Sequence, residues 1–427
     1  MDISVQSLTS VDKEIIIKAN REELEPKFDA AIKKYQGKIN LPGFRPGKVP
    51  AGIVKKRFGK EIEFEEINTY INEVFEKEIV PQHEPVGESQ LLDLKWEDDQ
   101  LEAKFKIGAK PEFELKDLKK IKIDKMVHDV SEKEVNEEIE RTLEREGNWE
   151  DVEEVITENH RVVIDALTLD KKGNPVEGEK DDNQVIDLRQ EAAAEFKKAL
   201  KGKKIGDVVD MKVGEKGEKD HFRVTVKKVQ TLHKPELTEE FVAKQSQGQA
   251  KNEDEFRSYI KSSMQQYYDQ TSDELFRREA VEMMVKEHKI EIPEVFEEQV
   301  LNSYVDYLKQ QQSKGMPADF DEDEYKDSMR DRAKEEGSWY FINLKLQEKF
   351  EDIEIKPEDI DAFLGAEAAR YGATLDQMKG YYAQNPSLLE NLRGSIRENK
   401  VFEKLEDAVT INELSKEDFR KKKEKNK

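Results

Sequence analysis

The spacing of apolar positions changes along the chain, and each change marks a different part. Near the N-terminus, Glu14-Ile15-Ile16-Ile17-Lys18 is a short β-branched run bounded by polar residues, so Val5–Lys18 is expected to form strands. A helical pattern then runs over Arg21–Lys38, and another leaves from Ala51. Glu61–Val80 is helical through Ile62, Ile67, Ile71, Val74 and Phe75, with Pro81 and Pro85 expected to end it. Leu91–Trp96 and Leu101–Ile107 read as a β-hairpin turning at Glu97–Gln100. Residues 1–112 are thus an α+β domain with a projecting helical hairpin.

Residues 113–148 read as a connector. Ile121-Lys122-Ile123 suits a short strand, and Ser131 with Glu134 is a capping box for a helix reaching Glu146. Residues 149–232 are mostly β. Arg161–Asp165 has a buried-strand pattern, Gly173-Asn174-Pro175 a turn, and Phe222–Val229 a clean alternation, while Glu191–Leu200 is helical and stopped by Gly202.

Residues 233–415 are almost entirely helical. Asn252 with Glu255 caps a helix expected to run to Lys289, about 57 Å if unbroken. Ile292-Pro293 separates it from a second helix ending near Gly315, and a third spans Asp321–Phe350. Pro357, Gly372, Gly380 and Pro386 punctuate shorter helices. Residues 416–427 are a charged, basic tail expected to be disordered. The fold class is therefore α+β multidomain: an α+β N-terminal domain, a β-rich middle domain and an elongated all-α C-terminal domain with arms.

Composition sharpens this reading. With 40% charged and only 36% hydrophobic residues in 427, the chain favours helix-rich arms with much exposed surface over one globule. It has no cysteine, which excludes disulfides, thiol nucleophiles and cysteine-based zinc sites. No stretch approaches the ~20 apolar residues of a membrane span, so a soluble, cytosolic protein is expected. There is no Gly-x4-Gly-Lys-Ser/Thr loop and no His-Glu-x-x-His, and the six histidines are scattered; no cofactor and no metal is expected.

The formal net charge is −23, yet Ala31–Lys60 holds no Asp or Glu. That window contains Lys33, Lys34, Lys38, Arg45, Lys48, Lys55, Lys56, Arg57 and Lys60. At its centre lies Leu41-Pro42-Gly43-Phe44-Arg45-Pro46-Gly47-Lys48-Val49-Pro50. Three prolines restrict φ and two glycines permit sharp turning, so this is the tip of the helical hairpin, with Phe44 and Arg45 at its apex. A basic tip on an acidic body points at one anionic partner and orients the protein on it. A solvated turn is the plainer alternative, and RNA binding a third; Phe44 and Phe58 are too few aromatics for base stacking.

Gly43-Phe44-Arg45-x-Gly47-x-x-Pro50 resembles the ribosome-docking signature of the bacterial trigger factor family, chaperones at the nascent-chain exit tunnel. Pro111-Glu112-Phe113-Glu114-Leu115 and Pro235-Glu236-Leu237-Thr238-Glu239-Glu240-Phe241 are similar to that family too. The resemblance implies docking through Gly43, Phe44, Arg45, Gly47, Lys48 and Pro50 on a large-subunit protein and adjacent rRNA. The family's Phe-Arg-Lys triplet is incomplete, since Pro46 stands third. It further implies a second partner, unfolded nascent polypeptide, held without ATP. Met264, Tyr267, Met283, Tyr304, Tyr307, Met316, Trp339 and Phe341 are candidates to face it; the same stripes also fit seams between helices. Self-association into a homodimer off the ribosome stays open, and no membrane is expected as a partner.

The family's middle domain is an FKBP-type peptidyl-prolyl isomerase, and here the sequence departs from it. Arg161-Val162-Val163-Ile164-Asp165 fits the first strand, but Ala166 replaces an aromatic. Ala193-Ala194-Glu195-Phe196 stands where the family has Ile-Pro-Gly-Phe, and Val176 occupies the flap's aromatic position. The aromatic-bearing loop is cut to Gly214–Asp220. Asp165 and Phe196 are expected to be structural remnants, with weak or absent isomerase activity; the alternative that the resemblance leaves is a ribosome-targeted isomerase whose helical domain is a substrate-binding accessory.

Overall fold

The computed structural model describes the chain except residues 46, 171, 172, 215–219, 313, 314, 316, 318, 319 and 427, and the side chains of 177 and 426. Two compact units result: Met1–Met126 with Ser272–Lys427, and Val127–Thr271.

The first unit opens on an antiparallel sheet of β1 (Asp2–Ser7), β2 (Asp12–Asn20), β3 (Val86–Glu97) and β4 (Gln100–Gly108), in the order β1-β2-β4-β3. Alternation decides its buried face. Ile15, Ile17 and Ala19 point inward with Leu101, Ala103, Phe105 and Ile107, while Lys18 and Glu102 pair outward across the strands. Asp98 and Asp99 both adopt left-handed φ, 48° and 59°, the geometry of a two-residue type I′ turn. Helices α1 (Arg21–Lys38) and α2 (Ala51–Val74) bury Leu24, Phe28, Ile67, Ile71 and Val74 against this face.

Pro81 does not end α2 directly. The helix passes through a π turn at Phe75–Ile79 into the short α3 (Val80–His83), which carries Pro81 as its second residue and ends at Glu84 with φ 41°.

Ile121-Lys122-Ile123 leads into β5 (Lys122–Val127). The second unit contains α4 (Glu132–Arg145), β6 (Asn148–Val152), β7 (Arg161–Leu169), β8 (Pro175–Asp187), α5 (Ala194–Leu200), β9 (Val208–Val213), β10 (Asp220–His233) and α6 (Glu239–Gln245). Its sheet runs β6-β10-β7-β8, with β9 also on β10. Val162, Ile164, Val224 and Val226 line the core with Leu188 and Leu200. Ser131 caps α4 through the expected box with Glu134.

Helix α7 (Glu253–His288) follows, with the Asn252 side chain accepting from Glu255 N–H at 2.9 Å. Its 36 residues span about 54 Å, the first half belonging to the second unit and the rest to the first. The first unit then continues through α8 (Glu294–Gln311), α9 (Glu322–Lys349), α10 (Pro357–Tyr371), α11 (Leu375–Ala383), α12 (Pro386–Ala408), β11 (Thr410–Ser415) and α13 (Lys416–Asn426). Phe276, Ala280, Met284, Trp339, Ile342, Val401 and Phe402 form its helical core. The strand pair β3–β4 lies against α8; Gly87, at φ 78°, has no room for a Cβ, which would fall 2.8 Å from the Phe296 backbone.

The basic tail expected to be disordered is instead α13. Phe419 is buried, Lys422 meets Asp124 at 2.5 Å, and Lys423 pairs with Glu279, so an apolar anchor and two ion pairs offset its ordering entropy.

Candidate functional site

The loop between α1 and α2 is built from its buried residues outward. Leu41 and Val49 turn inward and join Ala31, Ile32, Val54 and Ile62 in a small core inside the hairpin. Two turns close above them: Phe44 N–H donates to Leu41 O at 3.1 Å, and Lys48 N–H to Arg45 O at 2.9 Å. Gly47 sits at φ 74°, where a Cβ would press within 3.3 Å of Gly37 O. Pro50 O accepts from Ile53 and Val54 N–H and so starts α2.

What remains outside is the chemistry. Phe44 is 38% exposed, and Arg45 and Lys48 are exposed beside it. Of the nine cations in the acid-free window, only Lys55 makes an ion pair among the described residues, with Glu25 at 3.3 Å. Eight positive charges are therefore free for an external anion. Further from the tip, the Tyr35 hydroxyl lies 3.3 Å from Glu65, whose charge pushes its pKa up. Gly43, Phe44, Arg45, Gly47, Lys48 and Pro50 thus share one loop; Pro46 is outside the described residues. Leu41, Val49 and Gly37 were not singled out from sequence, because their inward packing appears only once the two helices are paired.

The client-facing candidates divide by burial. Tyr267 and Tyr307 are exposed, at 63% and 65%. Met264, Met283 and Tyr304 are half-buried, Tyr304 donating its hydroxyl to Glu336. Trp339 and Phe341 are not surface residues: Trp339 donates Nε1–H to Glu398 at 2.8 Å and stacks on Phe402, and Phe341 is fully buried against Phe296. Both close seams between helices. Met316 lies outside the described residues.

Met264 and Tyr267 also line a cleft of about 450 Å³ between α4 and the first half of α7. Phe256, Tyr259 and Ile260 of this cleft were missed from sequence, since only the pairing of two helices far apart in the chain creates it.

In the middle sheet, Asp165 accepts from Asn183 N–H at 3.0 Å and meets Lys227 at 3.3 Å. The Asn183 hydrogen bond above all holds its carboxyl below the ordinary range. Ala166 faces Asp181 on β8 and Val224 on β10. Phe196 packs half-buried on the sheet core, and Glu195 accepts from Gly214 N–H at 3.0 Å. Of the shortened loop after Gly214, residues 215–219 lie outside the described set. Among the described residues no group of three or more His, Asp or Glu could hold a metal, and no helix is long and apolar enough to cross a membrane.

Comparison with known proteins gives a consistent result over most of the length. Residues 1–142 match the family model of the bacterial trigger factor protein, and residues 254–407 match the model of its C-terminus. A trigger factor of Salinibacter ruber is 28% identical over 444 residues, covering 98% of this chain and 96% of that protein. Another, of Chlorobaculum tepidum, is 29% identical over 420 residues, covering 96% and 97%. A solved structure of the trigger factor chaperone, reported for promiscuous substrate recognition in folding and assembly, shares the fold. It aligns with a TM-score of 0.56 at 20% identity, over 95% of this chain and 99% of that one.

Proposed function

We propose that this chain, which belongs to the bacterial trigger factor family, docks at the ribosomal tunnel exit through its α1–α2 tip and shelters nascent polypeptides without a nucleotide. The family carries the chaperone role; docking and sheltering are the finer reading. In it, residues 1–112 dock, 113–148 connect, 149–232 are an FKBP-like scaffold and 233–415 hold clients in the cytoplasm.

The tip carries this reading. Buried Leu41 and Val49 hold it, so Phe44 and Arg45 are presented with little entropy left to lose on binding. Aromatic and guanidinium groups are the usual anchors of protein interfaces. The free cations around them suit rRNA phosphate, while a net −23 opposes binding elsewhere on the ribosome. Exposed Tyr267, Tyr307 and Tyr340 suit shallow client contacts, which matter because tight binding of unfolded chain would oppose its folding.

Ribosome co-sedimentation tests the docking. The Phe44→Ala/Arg45→Ala variant should lose binding at physiological salt, whereas removing one lysine of Lys55-Lys56-Arg57 should weaken it modestly and lower the salt slope by about one. Equal pelleting of the double variant and the wild type would end the proposal.

The isomerase reading has less support. Ala166 supplies no aromatic wall, and the Asp165 carboxylate is already engaged by Asn183 and Lys227. A packed sheet without turnover is the simpler account.

A further inference from the structure

The cleft between α4 and the first half of α7, within the unit Val127–Thr271, carries two arginines on its rim in a chain of net negative charge. Its apolar side comes from α7: Phe256 is fully buried beneath it, Ile260 and Met264 line it, and Tyr259 stacks parallel to Phe256 with centroids 6.4 Å apart. Its charged wall comes from α4. There Arg141 pairs with Glu138, which also lines the cleft, at 3.4 Å, and Arg145 donates to the Thr142 hydroxyl at 3.4 Å, so the wall carries two guanidinium groups against one carboxylate. Among the described residues Arg145 has no carboxylate partner, in a chain with 96 acidic residues against 73 basic ones.

Size and chemistry together define the occupant. A cleft of about 450 Å³ admits one or two large side chains and is too small for a helix. The apolar side favours an aliphatic or aromatic group, and guanidinium forks at the rim favour a carboxylate close to it. The chain's net negative charge disfavours acidic segments on most of its surface, so away from the basic hairpin tip this wall gives them a foothold. We infer that the cleft takes short extended segments of unfolded polypeptide in which a large apolar residue neighbours Asp or Glu. This rests on the client-sheltering reading above and adds a substrate class to it.

The test uses full-length protein and two dansyl-labelled nonapeptides. Both carry a central Leu-Phe-Leu; one is flanked by Asp and Glu, the other by Lys and Arg, and binding is read by anisotropy. Arg141→Gln/Arg145→Gln, both surface substitutions, should shift the acidic-to-basic preference by about fivefold or more against the acidic peptide. Lys286→Gln/Lys349→Gln, with the same change of net charge elsewhere, should leave it unmoved. Met264→Trp, which fills the cleft, should weaken the acidic peptide in protein whose circular dichroism is unchanged. A preference unaltered by the arginine pair, or shifted equally by the lysine pair, overturns the inference. So does a lack of acidic-peptide binding in protein that still suppresses aggregation of a denatured client. Failure to suppress aggregation at all would instead remove the client-sheltering reading itself.

Discussion

Val49 and Leu41 matter to the tip as much as the residues they present. Both are buried in the small core inside the hairpin. Val49→Ala keeps Phe44, Arg45 and every charge, yet opens a small cavity in a core of six buried residues, at a cost of about 2 kcal/mol to local order. Ribosome affinity should fall several-fold with the salt slope unchanged, because the phosphate-contacting cations remain. A wild-type affinity in this variant would mean that the tip needs no internal support. The aromatics show the limit of reading single residues. Tyr267 and Trp339 both stand on helices in mixed surroundings, yet one is exposed and the other stacks on Phe402. Residue type carries no record of which helix arrives opposite.

At the scale of elements, legibility followed the strength of the local signal. Helix α7 was readable because Asn252 and Glu255 start it, and Pro293 bars continuation into α8. Strands β6, β8 and β9 were not read: β6 and β8 are mostly polar and exposed, and only the partner strand makes them strands, whereas β9 turns Val209, Met211 and Val213 to the core in an alternation that was legible. The second helix stops at Gln311, short of the expected Gly315. Strands β7 and β8 bear directly on isomerisation. Twisting an X-Pro amide across a barrier of about 18–20 kcal/mol calls for an apolar bowl. Here β7 offers Ala166, while Asp165 is held by a β8 backbone N–H. Purified protein in a proline-peptide isomerisation assay should stay near the uncatalysed rate, and turnover like that of an ordinary FKBP-type domain would restore the enzyme reading.

Across the whole chain, the last helix closes long sequence distances. Lys423 reaches back to Glu279 and Glu282 on α7, and Lys422 to Asp124 on β5. The Glu279 side chain is only 9% exposed, so it depends on that lysine. Lys423→Glu would set a third carboxylate beside two and should cost about 1–3 kcal/mol, seen as a lower thermal midpoint. Combining it with Glu279→Lys should recover part of the loss. A midpoint unmoved by Lys423→Glu would mean that α13 contributes nothing to the fold.

The sequence by itself determined what depends on near neighbours: the α+β, β-rich and helical succession, the capped starts of α4 and α7, and the turn at the hairpin tip. It also determined the acid-free window, since charge is additive and needs no coordinates. Tertiary structure alone decided which aromatics are seams, that Leu41 and Val49 support the tip, that residues 416–426 fold, and that α4 and α7 enclose a cleft. Each of those depends on groups brought together from far along the chain. Burial and ion pairing are properties of such meetings, and local period does not encode them.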